Sequence, residues 1–255
     1  MTPLGHSERP VAIVTGGARG IGAATAVLLA ERGYDLAINY LSDVGAADTV
    51  AAACRNAGAT VITAAGDVAS EADVLTLFQR VDDEMGPLRA LVNNAGIVAP
   101  KSRVDAYSTE RIDRMMAVNV RGSLLCAREA VLRMSSLYGG LGGAIVNISS
   151  RAAVLGGPSE YVDYAASKAA IDAFTVGLAK EVATEGIRVN AVRPGIIDTD
   201  IHASGGQPDR VNRIAPMVPM LRAGTAAEVA AAIVWLLSDE ASYTTGAIID
   251  VSGGR

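Results

Sequence analysis

Short, uninterrupted apolar runs alternate along this chain with longer stretches whose apolar residues recur at helical spacing. The first run, residues 11–14, is followed by a glycine-rich turn and an Ala-rich helix that ends near Arg32 and Gly33. The same reading places strands at 36–38, 61–63, from 91 onward, 144–148, 187–192 and 247–251, and helices at 44–57, 71–85, 109–136, 161–185 and 226–237. The early strands are apolar at consecutive positions rather than alternate ones, which is expected when helices cover both faces of a sheet. Regular strand–helix alternation of this kind predicts an α/β fold with a doubly wound parallel sheet. No repeat or composition break divides the chain, so 1–255 reads as a single domain. Residues 203–219 are different: rich in proline, with paired glycines and mixed charge. They read as a mobile segment over a site, a substrate loop spanning about 200–222, rather than as a linker.

Composition narrows the function classes. Half of the 255 residues are hydrophobic and only 4% are aromatic, so a large, mostly aliphatic core is available. The net charge of −5 and the absence of a basic run argue against nucleic acid as a partner. No apolar stretch is long enough to span a membrane, and the start, with Glu8 and two prolines, has no apolar core of a signal peptide. Cys54 and Cys126 lie in no metal-binding or disulfide pattern, so no metal is expected and both thiols are expected to be reduced and buried. The expectation is a cytoplasmic protein.

Two stretches carry candidate chemistry. The turn after the first strand reads Thr15-Gly16-Gly17-Ala18-Arg19-Gly20-Ile21-Gly22. Glycines there let the backbone approach a pyrophosphate, and the helix that follows presents free N–H groups and the positive end of its dipole to an anion. The second stretch is Tyr164-Ala165-Ala166-Ser167-Lys168. A Tyr and a Lys four apart share one helix face. A phenol has an ordinary pKa of about 10, and a neighbouring ammonium is expected to lower it, making Tyr164 a general acid/base near neutrality.

Together with Asn93-Asn94-Ala95-Gly96 and Pro194-Gly195-Ile196-Ile197-Asp198-Thr199, these motifs stand in a joint order that resembles the short-chain dehydrogenase/reductase family. The likeness is to the main branch, which includes ketoacyl-carrier-protein reductases and sugar dehydrogenases, and it runs from Val11 to Gly254. It implies a Rossmann-type seven-stranded sheet and a catalytic set of Asn119, Ser150, Tyr164 and Lys168. Ser150 is the second Ser of Asn147-Ile148-Ser149-Ser150 and lies 14 residues before Tyr164. Tyr161 is set aside because position 165 is Ala, not Lys. In the implied mechanism hydride passes between a nicotinamide and a carbonyl or secondary alcohol carbon. Tyr164 protonates the oxygen and Ser150 hydrogen-bonds it. Lys168 lowers the Tyr164 pKa and bonds the nicotinamide ribose, and Asn119 holds a relay water.

The resemblance also implies the cofactor contacts. The loop supplies Gly16, Ala18, Arg19, Gly20, Ile21 and Gly22. Asp67 and Val68 meet the adenine, and Asn93, Ala95 and Gly96 the ribose side. Pro194, Gly195, Ile197 and Thr199 hold the nicotinamide amide and phosphate. An acid at the end of the second strand would bond the ribose hydroxyls and repel a 2′-phosphate. That position is Asn39 or Tyr40, with no carboxylate; Asp43 is the nearest acid. Arg19 can pair with a phosphate, and Asn39 and Ser42 can add hydrogen bonds, which favours NADP over NAD. The substrate segments, 151–162 and 203–221, leave ketoacyl thioester, sugar and small ketone open. His202, Arg103 and Arg151 are the polar candidates. The resemblance also implies a homotetramer, and small residues on the last long helix suit close packing there. Two rival readings stand beside the reductase: a redox-silent NADP(H) sensor, and a non-redox enzyme such as a lyase on the same scaffold.

Overall fold

The structure, a computed structural model, describes residues 9–199 and 205–255. Seven strands form one sheet: β1 (Val11–Val14), β2 (Asp35–Tyr40), β3 (Val61–Ala65), β4 (Leu88–Asn93), β5 (Gly143–Ile148), β6 (Ile187–Pro194) and β7 (Ile248–Val251). They lie in the order β3-β2-β1-β4-β5-β6-β7, and every pairing is parallel. The helices are α1 (Gly20–Glu31), α2 (Val44–Asn56), α3 (Glu71–Glu84), α4 (Thr109–Met116), α5 (Ser123–Met134), α6 (Ala152–Leu155), α7 (Val162–Val182), α8 (Arg210–Ile214) and α9 (Ala226–Leu237).

Successive strand residues point to opposite faces, and in β1 this splits the core in two. Val11 and Ile13 join Leu91, Ile145 and Val189 in a cluster completed by Phe78 and Val81 of α3 and Cys126 and Ala130 of α5. Ala12 and Val14 join Leu36, Val92 and Val146 in a second cluster with Leu29 of α1, Val50 of α2 and Ile233 of α9. Both layers are mostly aliphatic, as the continuous apolar strands require.

Four helices begin with a side-chain cap: Asp43 on α2, Ser70 on α3, Ser108 on α4 and Thr225 on α9, the last in a full capping box with Glu228. Helix α1 has none. Arg19 stands at its N-cap position without a side-chain bond, and its first turn holds no acid.

The structure differs from the pattern reading in three places. The helix expected over 109–136 is divided into α4 and α5 by a π-helical turn, Ala117–Gly122, whose centre is Asn119. An inserted residue of this kind widens one turn, and it turns the Asn119 amide toward Ile97, with which it exchanges two hydrogen bonds. Segment 203–219 contains the short helix α8, which its polar composition concealed. Strands β2, β3 and β4 run two to three residues beyond the apolar runs, because ladder pairing extends through Asn39, Tyr40, Ala64 and Ala65 on one side and Leu88 on the other.

Candidate active site

The strand order reverses direction beside β1, whose neighbours are β2 and β4. In open α/β sheets the crevice at the carboxyl ends of such strands is where ligands bind. The loops after β1, β4, β5 and β6 all open there, and they line a cleft of about 480 Å³ with Ile21, Asn94, Ser150, Tyr164, Lys168 and Thr199 among its walls.

The β1–α1 loop is held by the segment after β4. Thr15 Oγ1 accepts the Asn94 and Ala95 N–H groups, each at 3.0 Å, and Asn94 Nδ2 donates to Thr15 O and Gly16 O, each at 2.9 Å. A Cβ on Gly22 would lie 2.5 Å from both Asn94 Nδ2 and Gly16 O, so only glycine lets α1 start against this turn. Asn94, which motif reasoning passed over, is therefore the residue that fixes the loop. Its neighbour Asn93 faces the other way. It is buried, and its Nδ2 donates to Asn147 Oδ1 at 2.9 Å and to Ser123 O at 3.1 Å. The expected ribose contact of Asn93 is thus corrected for its side chain, which is part of the core network. Gly96 lines the cleft, while Ala95, also half-buried, packs against the first core cluster.

Asn39 needs a similar correction. It is buried, with Nδ2 donating to Ala64 O and Gly66 O and Oδ1 accepting the Gly16 N–H. It braces the loop and has no amide hydrogen left over for a ribose. Tyr40 is half-buried and Ser42 exposed at the same strand end. Asp43 accepts the Ala46 N–H as the α2 cap. Arg19 is exposed at the loop; its carbonyl accepts the Ala23 N–H, and its side chain has no hydrogen bond or ion pair among the described residues. Asp67 is paired with Arg114 at 2.6 Å. Burial opposes its ionisation, yet the Arg114 guanidinium and the Ala69 N–H hold it below the usual carboxylate range. Val68 beside it is buried.

On the other wall, β5 delivers Ser149 and Ser150. Ser149 turns inward and donates to Lys168 O at 3.1 Å. Ser150 lines the cleft with Tyr164, and its Oγ accepts the Ala152 N–H at 3.1 Å. The start of α7, which carries Tyr164, is fixed by α4: Arg111 Nε donates to Asp163 Oδ2 at 2.7 Å, and Tyr107 Oη accepts the Val162 N–H at 3.1 Å. Lys168 Nζ lies 5.8 Å from the centre of the Tyr164 ring and donates to Ile148 O at 2.7 Å. Gly96 admits this lysine: a Cβ there would sit 3.3 Å from Lys168 Nζ and 3.4 Å from Asn119 Oδ1.

Two expectations about these groups change. Asn119 is fully buried, and its amide is occupied by Ile97 and Ser167. It braces the turn after β4 instead of offering a free amide to a relay water. The phenol is not lowered either. Burial pushes Tyr164 up to about 12, against the lowering effect of the Ser150 hydroxyl, and pushes Lys168 down to about 8, against the nearby Asp172 carboxylate. At each group desolvation outweighs the effect that opposes it.

The loop after β6 closes the floor. Gly195 N–H donates to Val251 O and Asp198 N–H to Gly224 O, each at 2.9 Å, which sets Pro194, Gly195, Ile197 and Thr199 along the cleft. Farther out, Tyr161 packs edge-on to Tyr164, with ring centres 5.7 Å apart, and accepts a hydrogen bond from Arg210 of α8. Arg210 also donates to Glu160 Oε2 at 2.8 Å. None of these three was singled out as a site residue by motif. Arg103, by contrast, pairs with Asp105 in solvent, Arg151 lines the cleft, and His202 lies outside the described residues.

The comparisons agree with this geometry. The family model described as Enoyl-(Acyl carrier protein) reductase matches residues 16–255. The chain is 54% identical to the uncharacterized oxidoreductase YgfF of Escherichia coli, over 96% of this chain and 99% of that protein. It is 42% identical to the cis-4-hydroxycyclohexanecarboxylate dehydrogenase of Sinomonas cyclohexanicum, over 96% of this chain and 95% of that protein. A blue fluorescent protein from a metagenomic library, solved in complex with NADPH, superposes with a TM-score of 0.88 at 32% identity, over 96% of this chain and 97% of that one. The chain belongs to the short-chain dehydrogenase/reductase family, and it is an oxidoreductase of a class that works with a nicotinamide cofactor on small molecules. Among the described residues no helix is long and apolar enough to cross a membrane.

Proposed function

We propose that this protein is an NADP-dependent carbonyl reductase or alcohol dehydrogenase in which Tyr164 is the general acid/base. The observation that carries the reading is that Ser150 and Tyr164 line one cleft together, with Lys168 Nζ 5.8 Å from the centre of the Tyr164 ring. A carbonyl oxygen seated between the two hydroxyls would accept from both at once.

The residues present fit a dinucleotide. The α1 N-terminus opens onto the glycine loop without a capping side chain, so its first N–H groups suit a pyrophosphate. Gly16, Ala18, Gly20, Ile21 and Gly22 would hold it there, with Thr199 opposite. Asp67 and Val68 would border the adenine, and Ala95 and Gly96 the ribose. Lys168 would bond the nicotinamide ribose, and Pro194, Gly195 and Ile197 would border the nicotinamide. When bound, the nicotinamide supplies or accepts hydride at the substrate carbon. Tyr164 holds the proton that the developing alkoxide takes, and Ser150 donates to the same oxygen and orients it. Asn119 acts as a positioning residue, through Ile97 and Ser167.

The preference for NADP rests on charge. Asp43 is tied to its helix, no carboxylate ends β2, and Arg19 stands exposed and unpaired among the described residues beside the loop. Tyr40 and Ser42 border the same corner. Arg19→Ala is expected to weaken NADPH binding about tenfold or more, the worth of a charge-assisted bond, and NADH much less. Fluorescence titration with both nucleotides tests this, and equal weakening would remove Arg19 from the preference.

The pH dependence follows from Lys168. Its ammonium is present below about pH 8 and lost above it, while the Tyr164 proton persists to about 12. Reductive kcat/KM is therefore expected to hold below about pH 8 and fall above it. A fall beginning only near pH 10, the ordinary phenol value, would contradict this assignment.

Segment 205–222 forms the substrate loop in this reading, since Gln207, Arg210 and Ile214 line the cleft. Exposed apolar side chains on α4 and α5, among them Ile112, Met116, Leu124 and Leu132, suit burial between copies in a homotetramer. The two buried, unpaired cysteines suit the reducing cytoplasm.

A further inference from the structure

The protein carries a net charge of −5, yet its cleft collects three guanidinium groups, Arg151, Arg210 and Arg255, against the Glu160 side-chain carboxylate and the terminal carboxylate of Arg255 itself. Arg210 is answered by Glu160 and by the Tyr161 hydroxyl. Arg151 pairs through Nη1 with Asp250, although its Nε is buried with no hydrogen-bond partner among the described residues. Arg255 is different. Its side chain has no hydrogen bond and no ion pair among the described residues. Its charge is nevertheless felt at Tyr161, the ring that stands edge-on to Tyr164. A half-buried guanidinium whose side chain has no partner among the described residues, beside a reacting centre, is suited to an anion brought in by the substrate. A guanidinium matches a carboxylate in geometry, two N–H donors to two oxygens. Glu160 in the same wall adds negative charge, which favours a monoanion over a phosphate dianion. The same cleft offers apolar surface from Leu155 and Ile214, which suits a hydrocarbon skeleton.

We propose that the substrate carries a carboxylate besides its reacting carbonyl and that Arg255 seats that carboxylate, so that the reaction interconverts oxo acids and hydroxy acids. The inference deepens the reductase reading and rests on it. The step balances as in any carbonyl reduction: hydride from reduced nicotinamide forms the new C–H bond, the C=O π bond breaks, and Tyr164 gives its proton to the oxygen. The nicotinamide leaves oxidised and the carboxylate is unchanged.

The test measures NADPH-dependent reduction of 4-oxopentanoate, 5-oxohexanoate and 4-oxocyclohexanecarboxylate, each beside its methyl ester, with simple ketones for comparison. For the best acid, kcat/KM is expected to exceed that of its ester about tenfold or more. Arg255→Gln should bring the acid-to-ester ratio to near one, and Arg255→Lys should keep part of it. The ratio is the readout, so a general loss of rate in a variant does not affect it. An ester reduced as well as its acid, or a ratio untouched by Arg255→Gln, would overturn the proposal. So would a rise in the NADPH KM that matches the rise for the acid, which would place Arg255 on the cofactor. Reduction of simple ketones but of no acid would also overturn it. If no carbonyl compound at all is reduced, the reductase reading itself falls.

Discussion

Tyr164→Phe is expected to lower kcat for carbonyl reduction by about 100- to 10,000-fold, the usual worth of a positioned general acid, while the NADPH dissociation constant stays nearly unchanged. The ring remains edge-on to Tyr161 and above Lys168, so packing is kept. Only the hydroxyl is lost, and with it the proton donor that shares the cleft with Ser150. The neutral phenol explains why the loss should be large in the reductive direction. Burial keeps Tyr164 protonated to about pH 12, so at neutrality nearly every molecule carries the proton that the alkoxide needs. Steady-state kcat beside an NADPH fluorescence titration separates the two effects. A variant that binds NADPH and turns over at the parent rate would remove Tyr164 from the chemistry.

Gly22→Ala has the second-largest expected effect, and on a different link of the mechanism. The added methyl would stand 2.5 Å from Gly16 O and Asn94 Nδ2 and 3.0 Å from Gly17 Cα. Two of these contacts are backbone, and the third is the amide that ties the loop to β4. Nothing there is the free end of a flexible chain, so the loop must open or α1 must withdraw. Overpacking of this kind costs about 1–3 kcal/mol. If the distortion is relieved in the loop, NADPH affinity falls roughly 5- to 150-fold, that energy expressed as an equilibrium constant. If it stays in the fold, Tm falls by roughly 2–4 °C per kcal/mol. Thermal unfolding with and without NADPH measures both. A variant unchanged in both Tm and NADPH affinity would show that this turn is not the close-packed cradle described here.

The sequence disclosed the sheet because its early strands hold short continuous apolar runs, each followed by recognisable helix signals. The glycine turn and the Tyr164 and Lys168 pair were readable because each is local: both members lie within a single turn of chain. What stayed hidden is what depends on distant pieces. Arg210 reaches Glu160 and Tyr161 from a polar segment with no periodicity, and Arg255 reaches the same cleft from the strand at the sheet edge. No spacing rule links them. The π turn at Asn119 is invisible in a helical pattern, since one extra residue hardly disturbs the apolar spacing of a long helix. Asn93 was readable in principle. Period-two alternation from Leu91 sends it to the same face as the buried α5 and α7, where Ser123 and Asn147 receive it. The phenol shift failed for an energetic reason: the Tyr–Lys spacing announces attraction, but not the burial that outweighs it.

The central claim is that hydride and proton transfer occur at this cleft. Its most direct measurement follows deuterium from NADPH labelled at the transferring C4 position into product, over a panel of ketoacyl thioesters, keto sugars, oxo acids and simple ketones. The account predicts NADPH consumption with at least one of these and deuterium on the carbinol carbon of the alcohol. Tight NADPH binding with no deuterium transfer to any of them would contradict it and favour a redox-silent NADP(H) sensor.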